Sequence, residues 1–119
     1  MPLVLGKSDT YSWKIELKVP VDNGKYEKQN FYCVFKRIEQ SKIEQYQKKL
    51  MNTKMEVMFE AARKFAKEVV VGWKDILDPN DEQIPFTDEA FDQLLEKPLV
   101  GIEIAKTYID SVTGEKTKN

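Results

Sequence analysis

One pattern constrains this chain more than any other: a strict alternation that runs into Asn-Gly. Trp13, Ile15, Leu17, Val19 and Val21 alternate with Ser12, Lys14, Glu16, Lys18 and Pro20. A period of two lays the apolar set on one face of an extended strand. Asp22-Asn23-Gly24-Lys25 follows. Asn-Gly favours a tight hairpin, because both central residues of a type I′ turn need positive φ. A two-residue turn there pairs Val21 with Tyr26, Ile15 with Tyr32 and Trp13 with Val34, all on one face.

The returning strand is different. Phe31-Tyr32-Cys33-Val34-Phe35 is apolar on both faces, as in a strand covered on both sides. Pro20 marks the first strand as an edge, since proline donates no ladder hydrogen bond. The second strand therefore needs another neighbour. Leu3-Val4-Leu5, a strand or helix from elsewhere in the chain, and a strand from a second subunit are the options. The last would make Phe31, Cys33 and Phe35 part of a protein-interaction edge.

Helical spacing takes over next. Ser41-Lys42-Ile43-Glu44 and Thr53-Lys54-Met55-Glu56 both fit the S/T-x-x-E capping box. Apolar residues then recur every three or four positions through Met55, Met58, Phe59, Ala62, Phe65, Ala66 and Val69. One bent helix over residues 41–71, closed by Gly72, or two helices fit this pattern. Met51, Met55 and Met58 share the stripe. They read either as core or as an adaptable groove for a partner. Asp78-Pro79-Asn80-Asp81-Glu82 is a polar turn without the glycine and distal glutamate of a calcium loop. Thr87 is a good N-cap with Asp88 and Glu89 behind it, and Phe86 and Phe91 fit a hydrophobic staple. Pro98 suits the first position of a last helix that Gly114 ends, with a frayed polar tail from Glu115 to Asn119. The expectation is a single domain, residues 1–119, of α+β class but mainly helical. An N-terminal β-hairpin (about 11–38) precedes three to four helices (about 41–71, 87–96 and 98–112).

Composition narrows the function classes. The chain has no histidine and one cysteine. That removes the commonest general base and any Cys/His zinc site within one chain. No recognisable carboxylate pair replaces them, so neither an enzyme nor a cofactor or metal site is expected. No apolar run reaches the roughly 20 residues of a membrane span, and the start, Met1 to Gly6, lacks the form of a signal peptide. Charge is uneven. Residues 1–68 hold 14 Lys+Arg and 9 Asp+Glu, net +5; residues 69–119 hold 5 and 11, net −6. Such halves complement each other either across one surface or between subunits.

The second half carries a family likeness. Phe35-Lys36-Arg37-Ile38 leads to the cap at Ser41, and Val71-Gly72-Trp73-Lys74-Asp75-Ile76 follows the main helix. Ile84-Pro85-Phe86-Thr87 then precedes Phe91, Leu94, Leu95 and Pro98. In order and spacing this resembles the tail assembly chaperones of lambda-like, long-tailed bacteriophages and prophages, over roughly residues 31–110. The resemblance implies a protein that coats the tape measure protein and engages the major tail protein. It also implies self-association, residence in the bacterial cytoplasm and absence from the mature virion. In many relatives a frameshift appends a second domain; by that likeness, a chain ending at Asn119 is the short product. Trp73 is the candidate anchor for a client, since aromatic residues dominate binding hot spots; its alternative is a core tryptophan packing the Gly72 turn on the last helix. The competing class is a small nucleic-acid-binding or regulatory adaptor. Lys36, Arg37, Lys42, Lys48 and Lys49 make the central region basic, and Phe31, Tyr32 and Phe35 offer stacking rings. Interleaved glutamates and a pI near 5.6 make nucleic acid an unlikely partner.

Overall fold

The computed structural model describes residues 1–5 and 9–114. Strands β1 (Thr10–Val21) and β2 (Lys25–Lys36) form a long hairpin. Helices α1 (Gln40–Leu50) and α2 (Met55–Val69) follow, then strand β3 (Val70–Lys74) and helices α3 (Asp88–Leu95) and α4 (Val100–Thr113). The sheet is antiparallel in the order β1-β2-β3. The fold is α+β, with 46% helix and 28% strand among the described residues.

The expected hairpin plus helices is therefore corrected at several points. β2 does have a second neighbour, and it is β3 from the same chain, not Leu3-Val4-Leu5, which lies exposed. The segment 41–71, whose pattern fits one bent helix or two, is an antiparallel helix pair and, from Val70, the start of a strand. Val69-Val70-Val71 explains the strand: β-branched side chains lose freedom in a helix and suit a pleat. Gly72 sits inside β3 and caps nothing. The break at 51–54 follows from Asn52, whose side chain accepts from the Lys54 amide at 2.8 Å, a local bond that competes with the helix. Neither capping box forms; the N-caps of α1 and α2 are Glu39 and Lys54, without side-chain bonds. Pro98 precedes α4 by two residues, and Leu99 takes the N-cap. Thr87 does cap α3, accepting from the Ala90 amide at 3.0 Å, with Phe86 and Phe91 rings 5.5 Å apart. The tail expected to fray, Glu115 to Asn119, lies outside the described residues.

The hairpin register also differs. Ile15 faces Phe31, Trp13 faces Cys33 and Tyr11 faces Phe35. Asp22, Asn23 and Gly24 form a three-residue turn, with positive φ at Asn23 and Gly24. The one-residue shift turns Phe31, Cys33 and Phe35 inward and Tyr32 and Val34 outward. Burial decides it: two phenylalanines and a cysteine carry less polar surface into the core than a tyrosine does.

All the helices of the core pack on the inward face. Tyr11, Phe35, Phe65 and Tyr108 form one aromatic cluster, with Phe35 and Tyr108 edge to face at 5.0 Å. Tyr108 is fully buried; its hydroxyl donates to Lys36 O (3.0 Å) and accepts from the Ile38 amide (3.3 Å). That ties α4 to the end of β2. Tyr46 stacks on Phe65 at 4.6 Å and pins α1 to α2.

Glu68 closes the same helix pair. It accepts from Lys42 Nζ at 2.8 Å and from the Tyr46 hydroxyl at 2.7 Å. These two bonds, Lys42 first, hold its carboxyl below the ordinary 4.5. Burial, then the bond to Glu68, pushes Tyr46 up to about 12. The Glu68 contribution to stability is present above its unfolded value and is lost as pH falls through the lower folded one. The Tyr46 contribution is present below its unfolded value of 10.0 and is lost as pH rises toward about 12. The melting difference between the parent and Glu68→Gln is expected to be full near about pH 7 and to shrink as pH falls below the ordinary carboxyl value of 4.5. An equal difference at both values would show that the carboxylate is not what Lys42 and Tyr46 hold.

Candidate protein-interaction surface

The seven residues singled out from sequence fall into two groups. Phe31, Cys33 and Phe35 are buried on the inward face of the central strand. There they pack against helices, and β3 covers the edge of β2 from Tyr32 to Phe35. Phe31 and Phe35 offer no stacking platform to bases. Burial raises the Cys33 thiol to about 12, so it stays protonated and acts as a small apolar side chain. Trp73 is half-buried. Its Nε1 donates to Ile84 O at 2.8 Å, and its ring meets Phe86 and Phe91 edge-on at 5.0 and 5.9 Å. It fastens the loop after β3 and α3 to the sheet, not the last helix.

The methionines behave otherwise. Met51 and Met55 flank the tight α1–α2 connection and are 82% and 60% exposed. Met58 is half-buried. Phe59 lies one helical turn after Met55, so the two share a face of α2. Phe59 in turn lines a groove of about 200 Å³ with Arg63, Leu95, Pro98, Leu99 and Ile102. That volume is below the roughly 300–1,000 Å³ of sites for drug-sized ligands. It suits one or two side chains of a docking protein segment.

Leu99 at the groove mouth was not anticipated. It holds φ 64, the left-handed region, and is 62% exposed. A non-glycine residue there costs roughly 1–2 kcal/mol. Its carbonyl accepts from the Glu103 amide at 3.0 Å, opening α4. The only sequence signal was Pro98, which bars a simple run of helix into this position. Strain of this kind gathers where a side chain is held out for use.

Charge forms a second feature. The loop after β3 is a small closed structure: Ile84 N bonds Ile76 O at 2.8 Å, and Asp78 Oδ1 accepts from the Asn80 and Glu82 amides. It presents Asp75, Asp81 and Glu82 to solvent, with Asp88 and Glu89 close behind in sequence. On the outward face of the sheet the register places Lys14, Lys18, Lys28, Lys36 and Lys74, against one acid, Glu16. Lys74 Nζ lies 5.0 Å from the centre of the Tyr32 ring. Among the described residues no helix is long and apolar enough to cross a membrane, and no three His, Cys, Asp or Glu side chains gather as a metal set. No family model, curated protein or solved structure matches this chain.

Proposed function

We propose that this chain is a non-catalytic tail assembly chaperone of a lambda-like long-tailed phage or prophage. It binds the tape measure protein, recruits the major tail protein and self-associates in the host cytoplasm. It leaves before the virion is complete. The observation that carries the proposal is the groove lined by Phe59, Leu99 and Ile102, with Leu99 exposed, Met55 exposed one turn before Phe59, and Met51 exposed across the α1–α2 turn. A long helical client presents repeated apolar side chains. Adaptable methionines and a shallow groove accept many of them weakly, and avidity over many copies supplies the affinity. The ordered block from Val71-Gly72-Trp73 to Pro98 supports the family likeness.

Co-expression with the tape measure protein of the same genome tests it. The chaperone is expected to hold that client soluble and to co-purify with it. Met51→Ser/Met55→Ser, at two exposed positions, are expected to cut client capture roughly tenfold, about 1.4 kcal/mol, with the melting temperature unchanged. A client that stays insoluble with no complex, or capture indifferent to both methionines, counts against the proposal.

A further inference from the structure

The outward face of the sheet is uncovered. Every residue from Val21 to Asn30 is exposed, so the hairpin runs beyond both β3 and the helices. A bare two-stranded ribbon is marginally stable in water. Lys18 stands directly opposite Lys28, and like charges in that relation repel. Of the five lysines on this face, Lys28 meets Glu16 at 3.8 Å. Among the described residues, Lys14, Lys18 and Lys74 form no ion pair, nor do Asp75, Asp81, Glu82, Asp88 and Glu89; the Lys36 charge acts on Glu68 instead. The chain thus carries a basic sheet face and an acidic lobe that leave each other unmatched.

We infer that the outward face of the sheet docks the acidic lobe of a second copy of this chain. The two patches differ, so the contact is heterologous: it repeats from copy to copy, or closes into a ring. This names the surface for the self-association in the functional reading above and rests on it in that respect. Size sets the strength. The two long strands cover about 40 Å by about 10 Å and the short β3 adds about 17 Å by about 5 Å, roughly 500 Å² in all. That is below the ~800 Å² per partner of a standard interface. The contact is therefore weak, reversible and, because its charges are exposed, strongly screened by salt.

Sedimentation velocity on the full chain tests this. The parent is expected to self-associate at high micromolar concentration in about 20 mM salt, and to weaken at least about tenfold in about 0.5 M. Lys14→Glu/Lys18→Glu alone, and Glu82→Lys/Glu89→Lys alone, are each expected to remain monomeric. Mixed together, the two variants are expected to re-form a complex, because one supplies an intact acidic lobe and the other an intact basic face. A parent that stays monomeric in low salt, reversals without effect, or a mixture that does not associate would overturn the assignment. So would a monomeric parent that shifts single-stranded DNA through Lys14 and Lys18, since nucleic acid would then be the occupant. Client capture is scored separately. A monomeric parent that still captures client overturns this surface and the self-association with it, and leaves client binding standing.

Discussion

Tyr108→Ala is expected to lower stability by about 3–5 kcal/mol, as for other large-to-small changes in a packed core. Tyr108 is fully buried and touches Tyr11, Phe35 and Phe65. Its removal empties the centre where α4, α2 and the sheet meet. It also strips the Lys36 carbonyl and the Ile38 amide of their partner. A domain of this size is stabilised by only about 5–15 kcal/mol, so the variant loses a large share and should melt roughly 12–20 °C lower. Tyr108→Phe separates the two contributions. It keeps the ring and leaves both backbone groups unpaired, at a cost of about 1–3 kcal/mol. A Phe variant as stable as the parent would mean that the hydroxyl does not tie α4 to β2.

Trp73→Ala has the second-largest expected effect, about 2–4 kcal/mol, reduced from the fully buried case because the residue is partly exposed. The loss comes from the edge-on contacts with Phe86 and Phe91 and from the bond to Ile84 O. These contacts hold the acidic loop and α3 on the sheet. Local opening of residues 75–95, seen as faster amide exchange there, should accompany the drop in melting temperature. Trp73→Phe retains most of the ring packing and should recover more than half of the loss. The opposite pattern, an unchanged melting temperature with client capture abolished, would make Trp73 a client anchor and contradict its structural role.

These side chains also show where sequence and structure part. The alternation from Trp13 to Val21 and the Asn-Gly turn are visible along the chain, as is the Thr87 cap with its Phe86–Phe91 staple. Each is a local signal, decided within a few residues. The register is not local. Asn23-Gly24 fits a two- or a three-residue turn equally well, and only the helices beneath decide whether Phe31 or Tyr32 turns inward. β3 is hidden for a similar reason. Val70 and Val71 extend the apolar helical stripe that ends α2 at Val69, and they become strand because β2 offers a free edge beside them.

The candidate surface was legible in part. Met51 and Met55 share the stripe with core residues such as Phe65 and Ala66, and spacing alone does not say which of them the fold covers. The exposed pair follows from the break at Asn52, where the stripe outruns the packing of α2 on α4. The row of lysines on the sheet depends on the register, so the one-residue shift that buries Phe31 and Phe35 also settles what accompanies Lys14 and Lys18. Leu99 could not be foreseen, because its strain arises from joining α3 to α4 across Pro98.

The central claim is that a helical client lies on the Met51–Met55–Leu99 rim. The most direct measurement is amide hydrogen exchange on this chain, alone and with a tape measure segment bound. Slower exchange is expected through residues 51–59 and 99–103, with residues 14–34 of the hairpin unchanged at about 0.5 M salt, where contacts between exposed charges are screened. Protection confined to the sheet, or none in a complex that forms, would contradict the claim.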